Sequence, residues 1–173
     1  MAVLKVPVTS SDHFQGDAHA PVTLVEYGDY ECPYCGAAHT HVQLVQKHYG
    51  RQLRFVFRHF PLTEVHPNAQ SAAESAEFAG VHGRFWEMHD LLFENQERLS
   101  IQLLFAAVRS LGLSEAELRD ALAEGTYMSK VRDDFLGGVR SGVNGTPAFF
   151  INDRRHDGPF DFPHLVAAID TQL

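Results

Sequence analysis

The sequence predicts an α/β fold in the order βαβ, helical block, ββα. Three observations point there. A β-branched run, a helical repeat and a second apolar run follow one another between Val22 and Phe60. From about Pro67 to Arg140 the apolar stripes all carry helical spacing. After that block come AFFI, an Asn-Asp pair, a short run and a last amphipathic stretch.

The first twenty residues are polar and irregular, ending at Pro21. VTLVEYG (Val22–Gly28), bounded by proline and glycine, reads as a buried strand. From Pro33 to about Tyr49, Ala38, Val42, Val45 and Tyr49 recur on one helical face, and Gly50 closes the helix. LRFVFRHF (Leu53–Phe60) is the second strand, and a strand-helix-strand unit of this kind places its strands parallel. The helical block holds an alanine stripe (Ala69, Ala72, Ala73, Ala76), the bulky FWEMHDLLF, and a stripe from Ile101 to Leu111. Ser114 and Glu117 have capping-box spacing, and Met128, Val131, Phe135 and Val139 mark the last helix of the block. Asn152-Asp153 suits a two-residue hairpin between Ala148–Ile151 and a strand near Arg154–Asp157. Asp161 can cap a final helix, with Pro163 tolerated in its first turn. The chain, residues 1–173, is expected to be a single domain with a helical insertion at about 64–141.

Composition narrows the function. With 45% hydrophobic residues and 13 Phe in 173, the chain can bury a core. A net charge of −8 and the lack of a basic stripe argue against a nucleic-acid partner. MAVLKVPVTSSDH has one lysine and no long apolar run, so no secretory signal or membrane span is read, and no membrane partner is expected. On that ground the chain is expected in the cytoplasm if full length, and in the periplasm or another extracytoplasmic space if it is a trimmed mature form. A monomer is expected.

The two cysteines, Cys32 and Cys35, lie in EYGDYECPYCGAAH at the junction of the first strand and helix. A helix starting there puts Cys32 at or near the N-cap and Pro33 at the first helical position, where its missing N–H is no loss. Cys35, three residues on, shares the face, at a spacing compatible with a disulfide. Free N–H groups and the macrodipole favour a thiolate at Cys32, which makes it the nucleophile and Cys35 the resolving thiol. Asp29 and Glu31 are expected to oppose this as nearby carboxylates. A zinc alternative exists, since Cys32, Cys35 and His39 form C-x2-C-x3-H, but no second C-x-x-C completes four ligands. An iron–sulfur cluster lacks the cysteines. The remaining histidines, including the His41/His48 and His82/His89 pairs, fit no recognised ligand pattern; a cation at His39 would favour the thiolate further.

VEYGDYECPYCG resembles the active-site segment of the DsbA-like branch of the thioredoxin superfamily, and GVNGTPAFFIN (Gly142–Asn152) resembles the loop carrying its cis-proline. DHFQGDAHAPVTL and FWEMHDLLFENQ are similar to its lead-in and helical insert. The resemblance implies a thioredoxin fold and a thiol–disulfide oxidoreductase acting on protein or peptide thiols and disulfides, with an unidentified redox partner and neither organic cofactor nor metal. It implies that Pro147 is cis, with Thr146 before it, offering a backbone edge to an extended substrate. It also implies that Glu26 is a buried acid able to relay the proton of Cys35, and that Pro33-Tyr34 tunes the redox potential. Apolar surface near Tyr30, Tyr34 and Thr146 is expected to stay exposed for substrate. The alternatives are a non-catalytic thioredoxin-like module whose cysteines are vestigial or hold zinc, and a glutathione-using enzyme, against which the intact pair speaks.

Overall fold

The computed structural model describes residues 2–173. Its elements are β1 (His13–Gly16), β2 (Val22–Gly28), α1 (Pro33–Tyr49), β3 (Leu53–His59), α2 (Ala69–Val81), α3 (Phe85–Glu94), α4 (Ile101–Ser110), α5 (Glu115–Glu124), α6 (Met128–Arg140), β4 (Ala148–Ile151), β5 (Arg154–His156) and α7 (Phe162–Asp170). This is a thioredoxin fold with five helices between β3 and β4.

The five strands form one sheet in the order β1-β3-β2-β4-β5. β2 and β3 are parallel from Val22↔Leu53 to Gly28↔His59, and the other pairs are antiparallel. Side chains alternate across a strand, and here both faces are covered. Leu24, Phe55, Phe57, Phe149 and Ile151 face a core built with α1, α3 and α7. Val25, Tyr27, Val56, Ala148 and Phe150 face a second core with Phe60, Leu4 and Phe135. Double burial explains why β2, β3 and β4 read as continuous apolar runs.

Helix α6 reaches the second face closely because Gly138 has no side chain. A Cβ there would stand 2.8 Å from Phe60 Cδ2 and 3.0 Å from Tyr27 Cδ1. On the same side, buried Arg58 binds both Asp12 carboxylate oxygens (2.8 and 3.0 Å), Tyr27 Oη, and the carbonyls of Val6 and Pro7. It thereby ties the N-terminal segment to the sheet.

The element bounds of β2, α1 and β4 match the sequence reading. β3 ends at His59 rather than Phe60, and β5 at His156 rather than Asp157. Ser114 caps α5 by accepting from Glu117 N (3.2 Å), and Asp161 caps α7 by accepting from His164 N (3.0 Å). The sequence reading missed β1. HFQG lacks an apolar alternation because β1 is an edge strand, paired on one side only.

Candidate active site

β2 and α1 present the two cysteines at the end of the sheet. Cys32 is the N-cap of α1 and Pro33 follows inside its first turn. Both cysteines are free and buried, Cys32 at 2% and Cys35 at 0% exposure. The loop Asn144–Pro147 closes over them, with Cys32 Sγ 3.6 Å from the Thr146 carbonyl and Thr146-Pro147 in the cis form.

The environment drives the two thiols apart. Cys32 is lowered to about 5. The Cys35 thiol hydrogen-bonded to it contributes most; burial opposes; the Thr146 side chain and the backbone amides of Cys35 and Tyr34 also lower it. Thr146 Oγ1 is buried and has no other hydrogen-bond partner, so its proton is available to the sulfur. Cys35 is pushed well above an ordinary thiol, first by burial, then by its hydrogen bond to Cys32 and by the charge of Glu26.

Glu26 lies on the same sheet face as Leu24, paired with Phe57 and Phe149. It is buried, Oε1 has no partner, and its carboxyl is pushed up to about 8 by burial and then by the Cys32 charge. The expected buried position is observed.

Other expectations need correction. Asp29 and Glu31 do not face Cys32 as loose carboxylates. Asp29 is buried and accepts from Glu31 N (2.8 Å), Leu62 N (2.9 Å) and His66 Nδ1 (2.8 Å). Glu31 accepts from Asn68 N (2.7 Å) and Asn68 Nδ2 (2.8 Å). Both are clamps on the loop before Cys32, and neither is among the leading causes of the Cys32 shift. Tyr30 is not surface. It is 1% exposed, stacked on Phe57 at 5.2 Å, with its hydroxyl 2.8 Å from His89 Nδ1. Tyr34 does project, at 67% exposure. His39 supplies no cation to the site: burial lowers its pKa, and its Nε2 lies 3.5 Å from Asp90 Oδ1. The C-x2-C-x3-H pattern is therefore not assembled, since among the described residues His39 groups with His89 and Asp90 rather than with the cysteines.

One residue of the site escaped the sequence reading. Gln96, just past α3, donates from Nε2 to the carbonyls of Tyr30 (2.8 Å) and Cys32 (2.7 Å). Gly36 leaves the space; a Cβ there would meet Gln96 Oε1 at 2.3 Å. No local pattern marks such a residue, because its partners are backbone atoms more than sixty positions away.

A protein-family profile described as Thioredoxin matches residues 8–171. The chain belongs to this thioredoxin family. Among solved structures, oxidised BdbD from Bacillus subtilis superposes on this thioredoxin-family chain with a TM-score of 0.87 at 25% identity, covering 99% of this chain and 97% of that one. The alpha-DsbA1 of Wolbachia pipientis gives 0.84 at 20% identity, covering 98% and 94%. The fold is thus the DsbA-type version of the thioredoxin architecture. Two curated relatives, Na(+)/H(+) antiporter NhaA 1 of Salinispora arenicola and NhaA 3 of Salinispora tropica, are each 46% identical over 167 residues, 96% of this chain but 26% of their own length. The chain spans about a quarter of the curated relatives it matches. These matches overturn the expectation of a cytoplasmic protein, because antiport is by definition exchange across a membrane. Among the described residues no helix is long and apolar enough to cross one.

Proposed function

We propose that this thioredoxin-family chain is a thiol–disulfide oxidoreductase that exchanges disulfides with protein or peptide substrates through Cys32 and Cys35. The observation that carries the reading is the opposed state of two adjacent thiols, one lowered to about 5 and one raised well above the ordinary range.

Cys32 thiolate attacks a substrate disulfide, forming a mixed disulfide and expelling one substrate thiolate, which takes a proton from water. Once Cys32 is an uncharged mixed disulfide, the Glu26 carboxyl releases its proton to water; Cys35 then passes its proton to the Glu26 carboxylate and attacks the Cys32 sulfur. The second substrate thiolate leaves, the pair is oxidised to a disulfide, and the substrate has gained two electrons. Run backwards, the same steps oxidise a substrate dithiol. Thr146 and Pro147 supply the edge along which an extended substrate lies. Exposed Tyr34 gives that substrate apolar contact, and a neighbouring open cleft of about 700 Å³, lined by Pro33, Ala37 and Phe93 but also by Glu31, Glu94 and Arg98, offers it mixed apolar and polar surface. Pro33 and Tyr34 set the potential by what they place around the sulfurs, and no cofactor takes part. The antiporter name of the relatives suggests that this chemistry operates beside an ion transporter.

Insulin reduction with dithiothreitol as electron donor tests the reading. Wild type accelerates precipitation of the insulin B chain, and Cys32→Ser abolishes the acceleration. A Cys32→Ser protein as active as wild type would refute it.

A further inference from the structure

A second cluster of reactive side chains lies outside the thiol chemistry. His39 on α1 and His89 and Asp90 on α3 each offer one ligand-type atom, and the three atoms lie within 4.8 Å of one another. They line a cavity of about 200 Å³ together with Gln15, Gln43 and Gln46. His39 is 7% exposed, and its Nε2 is buried without a hydrogen-bond partner. Asp90 Oδ1 lies 3.5 Å from it, beyond the ordinary N–H···O distance. That separation is close to the roughly 3.4 Å between neighbouring ligands of a tetrahedral zinc with bonds near 2.05 Å.

His89 is prepared in a different way. Its Nδ1 lies 2.8 Å from Tyr30 Oη; in the tautomer whose Nδ1–H donates to that oxygen, Nε2 is the nitrogen it offers. A ligating histidine generally has its other ring nitrogen engaged like this, which fixes the tautomer and the ring plane. Both imidazoles are buried, and a metal takes them in the neutral form. Asp90 supplies a carboxylate oxygen, with the carboxylates of Glu94 and Glu87 near enough to act on it. Two neutral nitrogens, one carboxylate and negative surroundings make a donor set for a cation. The nitrogens disfavour magnesium and calcium, which prefer oxygen.

We propose that His39, His89 and Asp90 form a binding site for one divalent transition-metal cation of the zinc type, held by three protein ligands with a fourth position open to water. A cation there cross-links α1, which carries the cysteines, to α3 of the helical insertion. Tyr30, two residues before Cys32, is the outer partner of His89, so the ion also steadies the loop leading into the thiol pair.

Thiols themselves bind zinc, so the test uses the Cys32→Ser/Cys35→Ser protein. Zn²⁺ is titrated by competition with a chromophoric chelator, and Co²⁺ by its visible absorption. One equivalent of each is expected to bind, the cobalt spectrum showing a four-coordinate N/O site without thiolate charge-transfer bands. Asp90→Asn, at a half-exposed position that folding tolerates, and His39→Gln, checked for native circular dichroism, are each expected to weaken binding at least about 100-fold, since even outer partners of ligands are worth about 10- to 100-fold. Absence of saturable binding in the cysteine-free protein, or binding that both substitutions leave unchanged, would overturn the proposal.

Discussion

The lowered Cys32 pKa predicts how its reactivity responds to pH, and the prediction is independent of how accessible the sulfur is. With a pKa of about 5, Cys32 is about 99% thiolate at pH 7 and about 76% at pH 5.5, whereas a thiol at 8.5 falls from about 3% to about 0.1%. The rate of reaction with a pyridyl disulfide should therefore drop only about 1.3-fold between these pH values in reduced wild type, against about 30-fold for an ordinary thiol. The absolute rate at pH 7 should not be unusual. Intrinsic nucleophilicity falls with a Brønsted slope of about 0.45, so 3.5 pKa units cost about 40-fold and cancel the roughly 30-fold gain in thiolate. The advantage appears in acid, where at pH 5.5 Cys32 should outpace such a thiol about 20-fold at equal access. Stopped-flow absorbance of the released pyridinethione measures all of this. Cys35→Ala removes the largest cause of the shift, so its profile should move to higher pH. A tenfold fall in the wild-type rate between pH 7 and 5.5 would show that Cys32 is not a thiolate at neutral pH, and an unmoved profile in Cys35→Ala would show that the Cys35 thiol does not stabilise it.

Further predictions follow from buried groups. Glu26 has a folded pKa of about 8 against about 4.3 unfolded, so it binds its proton more tightly in the folded state and wild type loses stability as pH rises from about 4 to 8. Glu26→Gln escapes that loss, and the stability difference in its favour should grow by up to about 1.4 kcal/mol per pH unit between pH 5 and 7, measured by urea unfolding of both reduced proteins. Gly138→Ala should destabilise by about 1–3 kcal/mol despite better helix propensity, because its Cβ would press on Phe60 and Tyr27 at 2.8–3.0 Å; an increase in urea midpoint would count against the close packing of α6. Asp29→Ala leaves the part-buried N–H groups of Glu31, Leu62 and His66 without their acceptor and should cost about 2–3 kcal/mol in the same assay.

The sequence revealed elements whose cause is local. Helix α1 was readable because its apolar repeat, its proline start and its glycine stop all lie within it. β2, β3 and β4 were readable because burial on both faces leaves them no polar alternation. What could not be read depends on partners distant in sequence. Asp29 and Glu31 become loop clamps only when Leu62, His66 and Asn68 arrive from the segment after β3. Tyr30 is buried because α3 brings His89 and Phe93 over it, and the same helix supplies the His89 and Asp90 with which His39 groups. The polar edge strand β1 shows no apolar pattern because only one side of it is paired.

The coupling between Glu26 and Cys32 gives the proposed mechanism its order. While Cys32 is a thiolate, its charge adds to burial in holding the Glu26 proton, and the same charge helps to keep Cys35 protonated. The resting pair therefore presents one nucleophile and not two. Attack on a substrate converts Cys32 to an uncharged mixed disulfide. The second cause of the raised Glu26 pKa then disappears, the carboxyl ionises more readily, and a base becomes available beside Cys35 at the step that needs one. The Cys35 thiol loses the same charged neighbour and is easier to deprotonate. A Glu26→Gln protein should therefore keep the Cys32 alkylation profile close to that of wild type while resolving a preformed mixed disulfide more slowly. If the two rates fell together, Glu26 would be acting on the fold of the site and not on the Cys35 proton.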